Sequence, residues 1–148
     1  MGDVVDSATR SRMMAGIRGK NTQPELAVRS GLHRQGFRFR LHDKRLPGKP
    51  DLLLPKYSAV IFVHGCFWHG HGCRIFKWPA THSAFWRDKI GRNRANDERH
   101  RTALREAGWR ICTVWECALR PAGSGVEAVT RKISRWLMSS SRALEISS

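Results

Sequence analysis

Val60 to Cys73 reads VIFVHGCFWHGHGC. Val60 to Val63 is an unbroken apolar run of strand length, the pattern of a strand covered on both faces. The second half packs three histidines, two cysteines and an adjacent Phe-Trp pair into one short turn. One loop therefore offers metal ligands, a proton acceptor and flat apolar rings at a strand end. Just upstream, Gly48-Lys49-Pro50-Asp51 runs into Leu52, Leu53 and Leu54. An acidic residue entering one strand, beside a second strand ending in a His/Cys loop, suggests a metal-dependent site rather than a plain core.

The rest of the chain is read outward from that pair of strands. Thr9 caps a short basic helix carrying Met13, Met14 and Ile17, broken by Gly19-Lys20-Asn21. Thr22-Gln23-Pro24-Glu25 is a capping box with Pro in the first turn, and Gly36 is a C′ residue for the helix it starts. Phe37 to Leu41 alternates aromatic and basic residues and predicts a half-buried strand, followed by a polar loop from His42 to Pro50. Asp51 to Leu54 and Ala59 to Val63 predict two strands joined by a turn at Pro55-Lys56. A long helix is expected from about Ser83 to Ala107, ended by Gly108, and then a strand from Trp109 to Trp115. Ser124-Gly125-Val126-Glu127 reads as a second capping box, and Val126, Val129, Ile133, Trp136 and Leu137 line one face of the last helix. Ser139 to Ser148 is Ser-rich and is expected to be a flexible tail. The result is one α/β domain over residues 1–138, a mixed sheet flanked by helices, with an arm over residues 1–20.

Composition narrows the partner. The 148 residues suffice for one domain with a real core, and 41% are hydrophobic. Lys and Arg total 27 against 12 acidic residues, a formal charge of +15 spread along the chain. Such an excess favours a polyanion, with nucleic acid as the default. The start of the chain lacks the apolar core of a signal peptide, and no run is long enough to span a membrane. An intracellular chain with cysteines near histidines is expected to bind metal rather than form disulfides.

Cys66, His71 and Cys73 form C-x4-H-x-C, and Cys117 follows the last predicted strand. Thiolates and an imidazole in a set of four suit zinc, with no open position, so the zinc is read as structural. Cys112 falls in a strand interior and is expected in the core. Asp51 offers the kind of oxygen donor a hard cation such as Mg²⁺ prefers. His64 ends the neighbouring strand and His69 lies in the loop beyond it, and neither is needed for zinc. A neutral imidazole near a metal-bound water can take its proton. Glu25 has two readings: the capping box accounts for it without catalysis, and a first-turn Glu can also orient a His or hold a metal-bound water.

With these residues in view, the chain resembles the very-short-patch mismatch repair endonucleases, the Vsr type. The resemblance runs through ATRSRMM, PGKPD, VIFVHGCFWHGHGC, FWRDKIGRN and GWRICTVWECALR, from about Asp3 to Arg120. It implies a restriction-endonuclease-like fold with a structural zinc site, and a Mg²⁺-dependent nick 5′ of the T in a T:G mismatch left by 5-methylcytosine deamination. Asp51 looks like the principal Mg²⁺ ligand, with the Val63 backbone carbonyl beside it. His69 resembles the general-base candidate, Glu25 a residue supporting it, and His64 a second active-site His. Cys66, His71, Cys73 and Cys117 match the zinc set. Gly70 and Gly72 separate these ligands where the family's loop is often richer in His, which is expected to loosen the loop. Phe67, Trp68 and Trp86 match an aromatic wedge inserted beside the mismatch, where a mismatched step costs less to open. Trp109, Trp115 and Trp136 are expected in the core. Lys89 and Asn93 fall where the family reads the wobble pair, and Met14 lies in a segment resembling a DNA-contacting arm.

The expected protein is thus a monomeric, bacterial, cytoplasmic and nucleoid-associated endonuclease acting on double-stranded DNA, with other mismatch-repair proteins as further partners. Two rivals remain. A non-catalytic, zinc-stabilised DNA-binding module explains the charge, the cysteines and the aromatics. It leaves Asp51, His64 and His69 without a shared purpose. A metal nuclease for other DNA structures or for RNA would use the same scaffold.

Overall fold

The computed structural model describes residues 22–120 and 123–148. The arm over residues 1–20, Met14 included, lies outside the described residues.

Helix α1 spans Gln23–Arg34, with Thr22 at its N-cap accepting a hydrogen bond from the Glu25 N–H and Pro24 in its first turn. It closes in a Schellman motif: Gly36 N–H donates to the His33 carbonyl and Phe37 N–H to the Leu32 carbonyl. That closure explains why the strand expected from Phe37 shrinks to β1, Arg40–Leu41. The Phe37 N–H is spent on the helix end, and its ring enters the core against Tyr57. Strand β2 is Leu52–Leu54, and β3 is Ala59–His64, one residue longer than expected. A single 3-10 turn, Pro55–Tyr57, joins them. Helix α2 is Ser83–Glu106, and its end repeats the Schellman pattern through Gly108 and Trp109. Strand β4 is Arg110–Trp115, helix α3 is Glu116–Leu119 and helix α4 is Val126–Leu137. The second capping box does not form: Gly125 takes the N-cap position and no side chain caps the helix.

The expected tail contains a strand. Ala143–Ile146 forms β5, paired in parallel with β4 from Ile111↔Ala143 to Val114↔Ile146. Distant partners hold it. Trp115 Nε1 donates to the Glu145 carboxylate at 2.6 Å, and the Arg110 guanidinium reaches the carbonyls of Trp136, Ser139 and Ser141. Ile146 is buried in the main core. A run with one buried anchor between serines carries no local strand signal.

The five strands lie in the order β1-β2-β3-β4-β5, antiparallel from β1 to β3 and parallel from β3 to β5. Side chains alternate between the two faces. Leu52, Leu54, Ala59, Ile61, Cys112 and Val114 meet α1 and α4 on one face, where Val28, Leu32, Val129, Ile133 and Trp136 pack. Leu53, Val60, Phe62 and Ile111 meet Leu104 of α2 on the other. The α1–α4 contact is close: a Cβ on Gly31 would lie 2.7 Å from Thr130 Cγ2. This mixed α/β sandwich leaves the end of β3 open, and the His/Cys loop leaves from there.

Candidate active site

Three groups of titratable side chains gather at that sheet end. Asp51 enters β2, and its carboxylate accepts a hydrogen bond from the Val63 N–H of β3 at 2.7 Å. The strand β3 thereby fixes the carboxylate, and Val63, the residue expected to offer its carbonyl, is tied to Asp51. Burial pushes the Asp51 carboxyl up to about 7, offset in part by that hydrogen bond and reinforced by the neighbouring Glu25. Such a proton is readily displaced by a cation, so two close carboxyls fit a hard divalent ion.

Glu25 is almost fully buried, and Arg29 and His42 are among the groups that hold it. Arg29 donates to it at 3.1 Å and His42 Nε2 at 2.7 Å. His42 was not anticipated from the sequence, where it is one residue of a polar loop. The ligand atoms of Glu25, His42 and Asp51 all lie within 4.8 Å of one another.

The second group is His64, His69 and Asp97. The rings of His64 and His69 are stacked, with centroids 3.8 Å apart and planes 5° from parallel. His69 Nδ1 is hydrogen-bonded to the Asp97 carboxylate on α2. The carboxylate hydrogen-bonded to His69 is thus Asp97, whose only sequence signal is an acidic residue in a basic helix. His64 is buried, and its Nδ1 has no hydrogen-bond partner among the described residues. Burial, with the nearby His69 and Arg101, holds the His64 imidazole well below its ordinary pKa, so it is neutral at neutral pH.

The third group is Cys66, His71, Cys73 and Cys117, with donor atoms again within 4.8 Å of one another. His71 lies flat on Trp115, with centroids 4.1 Å apart. Burial lowers the His71 pKa and raises the Cys66 thiol far above its ordinary value. Burial also pushes the Cys117 thiol up, but hydrogen bonds from Ser148, Cys66 and Cys73 outweigh it and leave Cys117 lowered. Three thiols crowded beside one imidazole, part of them costly to ionise alone, have the chemistry of a metal-ligand set. Gly70 does not loosen this loop. Its φ is +61°, and a Cβ there would lie 2.7 Å from Ile90 Cγ2, so the glycine lets the loop press on α2. Cys112 is a buried core thiol, as expected.

The aromatic residues form a continuous cluster. Phe67 meets Trp68 and Trp86 edge-on, each with centroids 5.2 Å away, and Phe76, Trp78 and Phe85 extend the row. Trp68, matched to the wedge, is buried: it packs on Phe67 and Trp86, and its carbonyl accepts a hydrogen bond from Asn93 Nδ2 at 2.8 Å. Phe67, Trp86 and Lys89 are partly exposed. Trp115 and Trp136 are buried, and Trp109 packs against the second core cluster. A cavity of about 870 Å³ joins the first two groups to one end of the aromatic row, lined among others by Glu25, Asp51, His64, Phe67, His69 and Asp97.

The family model for DNA mismatch endonuclease Vsr matches residues 2–75. The type II nicking enzyme V.XorIIP of Xanthomonas oryzae pv. oryzae is 50% identical over 133 residues, covering 90% of this chain and 97% of the relative. The DNA mismatch endonuclease Vsr of Escherichia coli is 45% identical over 147 residues, covering 99% and 94%. The type II nicking enzyme V.NmeAIP of Neisseria meningitidis is 44% identical over 120 residues, covering 81% and 86%. With identity of this depth over nearly the whole chain, the residues that build the cavity sit in a protein that belongs to the Vsr family of DNA mismatch endonucleases.

Proposed function

We propose that this endonuclease nicks duplex DNA on the 5′ side of the T in a T:G mismatch, the product of 5-methylcytosine deamination, as a step of very short patch repair. The observation that carries the reading is the shared wall of one cavity. Asp51, His64 and His69 line it together with Phe67 and Trp68, so hydrolytic groups and insertable rings face the same space. The relatives' names, a mismatch endonuclease and nicking enzymes, support it.

Mg²⁺ would be held by Asp51, with the neighbouring Glu25 carboxylate beside it and the Val63 carbonyl as a further oxygen donor, the hard oxygen set such an ion takes. When bound there, the cation supplies charge neutralisation at the scissile phosphate and a more acidic water. The chain's own residues do the rest. The Asp97 carboxylate holds the Nδ1–H of His69, which leaves Nε2 as the basic nitrogen. In this mechanism Nε2 takes the proton of the attacking water, as a general base. His64, stacked on that ring and neutral, holds the phosphate in line. Water oxygen bonds to phosphorus, the bond to the 3′ oxygen breaks, and that oxygen takes a proton from solvent water. The products are a 3′-hydroxyl and a 5′-phosphate.

Zinc is the proposed ion for Cys66, His71, Cys73 and Cys117, since three thiolates and an imidazole complete a tetrahedral shell. Its role is structural: it pins the loop to the β4–α3 junction that carries Cys117. Phe67, Trp68 and Trp86 form the proposed wedge. Lys89 and Asn93 face the wobble pair, and with Asn93 Nδ2 engaged at Trp68, its Oδ1 is left for a base. Met14 in the arm closes on the duplex. The charge of +15 supplies phosphate contacts and affinity with little sequence information.

A restriction-endonuclease-like fold, action as a monomer in the bacterial cytoplasm at the nucleoid, and cooperation with other mismatch-repair proteins complete the proposal. No helix among the described residues is long and apolar enough to cross a membrane. The non-catalytic zinc module leaves the Asp97–His69 pair without a purpose. A panel of T:G, matched, other mismatched, single-stranded and RNA substrates tests the reading. Preference for any member other than T:G would move the assignment to the rival nuclease.

A further inference from the structure

His42 lies outside every role assigned so far. Its place is fixed by the sheet: the pairing Leu41↔Leu52 continues through a hydrogen bond from His42 N–H to the Asp51 carbonyl at 3.2 Å. That register puts His42 directly across from Asp51. His42 holds a φ of +50°, a conformation uncommon for residues with a Cβ. From there its Nε2 reaches the buried Glu25 carboxylate at 2.7 Å, at the same oxygen that accepts a hydrogen bond from Arg29. The three donor atoms lie within 4.8 Å of one another at the wall of the same cavity.

We propose that His42 is a third side-chain ligand of the active-site cation, making Glu25, His42 and Asp51 a site of two carboxylates and one imidazole that accepts Mn²⁺ and Co²⁺ as well as Mg²⁺. The inference rests on the reading of Asp51 as the metal-binding carboxylate. Its chemistry differs from that of a site built from oxygen donors alone. Mg²⁺ takes oxygen ligands and gains little from an imidazole, whereas Mn²⁺ and still more Co²⁺ bind nitrogen well. On binding, the hydrogen bond between His42 and Glu25 would be exchanged for a shared cation: the Nε2 proton passes to solvent and the neutral ring carries its proton on Nδ1, leaving the Nε2 lone pair as donor.

The test uses zinc-loaded, full-length protein without DNA, so that the cysteine set is already filled. Mn²⁺ binding is followed by electron paramagnetic resonance, and a directly bound imidazole is read from ¹⁴N modulation of the electron spin echo. The wild type is expected to bind Mn²⁺ with nitrogen modulation. His42→Gln keeps a hydrogen-bonding group but loses the imidazole. It is expected to lose the modulation and to weaken Mn²⁺ about 10-fold or more, with Mg²⁺ changed about 3-fold or less. His42→Asn repeats the reading if the Gln variant does not retain its zinc and its melting temperature. Unchanged nitrogen modulation in folded His42→Gln overturns the inference and leaves the Asp51 site standing. No Mn²⁺ binding by the wild type, or binding indifferent to Asp51→Ala, overturns both.

Discussion

The Asp51 carboxylate accepts a hydrogen bond from the Val63 backbone N–H at 2.7 Å, across the antiparallel pair β2–β3. Both residues are thereby locked at the sheet end where the cavity opens. Burial makes the ionised form costly, and the carboxyl is raised from 3.8 to about 7.

The sign of the resulting pH dependence is fixed. Between about pH 4 and 7 the folded protein holds a proton on Asp51 that the unfolded chain has lost. This group therefore favours the fold at low pH, and its contribution falls as pH rises through that window. Asp51→Asn removes the effect and keeps an acceptor for Val63. Without added Mg²⁺, the stability of Asp51→Asn relative to wild type is expected to rise between pH 5 and 8, by on the order of 1–3 kcal/mol. Urea titrations at the two pH values check it. A constant difference would mean that Asp51 is ionised throughout.

Asp97 is hydrogen-bonded to His69, so it is expected to act through that ring rather than on substrate. Asp97→Asn is expected to lower kcat about 10²-fold with little change in KM, because the ring loses its fixed tautomer while the DNA surface is kept. Steady-state nicking kinetics separate the two constants. A rise in KM alone would make Asp97 a binding residue.

The cysteine set is expected to hold one zinc per chain. Cys73→Ser should release it and destabilise the protein by about 3 kcal/mol or more, since the loop then loses its tie to Cys117. Elemental analysis and thermal melts read the two effects. A Cys112→Ser variant, altered in a core position outside the set, should retain the metal.

Phe67 is the partly exposed ring of the aromatic row that lines the cavity. Phe67→Ala is expected to weaken binding of mismatched duplex by about 1–3 kcal/mol, the scale of one base–aromatic stack. Matched duplex should be affected far less. Equal losses on both, measured by fluorescence anisotropy, would assign Phe67 to the protein's own packing.

Ile146 tests the unexpected strand. Its side chain is buried in the main core, so Ile146→Ala should cost about 2–4 kcal/mol. Removal of a frayed tail residue would cost nothing.

What the sequence disclosed follows the reach of its signals. The strands β2, β3 and β4, the ends of α2 and the four-residue cysteine set were legible because their cues are local: apolar runs, a terminal glycine, clustered ligands. Three features were not. Strand β5 owes its place to its pairing with β4 and to Trp115, with Arg110 fixing the segment that leads into it, all about 30 residues away. His42 and Asp97 join the site through sheet register and a helix crossing, and neither stands out among its neighbours in the chain. Trp68 was matched to an inserted wedge from its loop position, yet Trp86 arrives from α2 to pack against it. In each case the deciding contact is long-range.

The most direct measurement is single-turnover nicking of a labelled duplex carrying one T:G mismatch in CTAGG, with Mg²⁺, beside its T:A counterpart, for wild type and Asp51→Ala. A nick 5′ of the mismatched T by the wild type only, at least about 10³-fold slower in Asp51→Ala, is the expected result. Undiminished nicking by Asp51→Ala, or equal cutting of the T:A duplex, would contradict an Asp51-centred, mismatch-directed endonuclease.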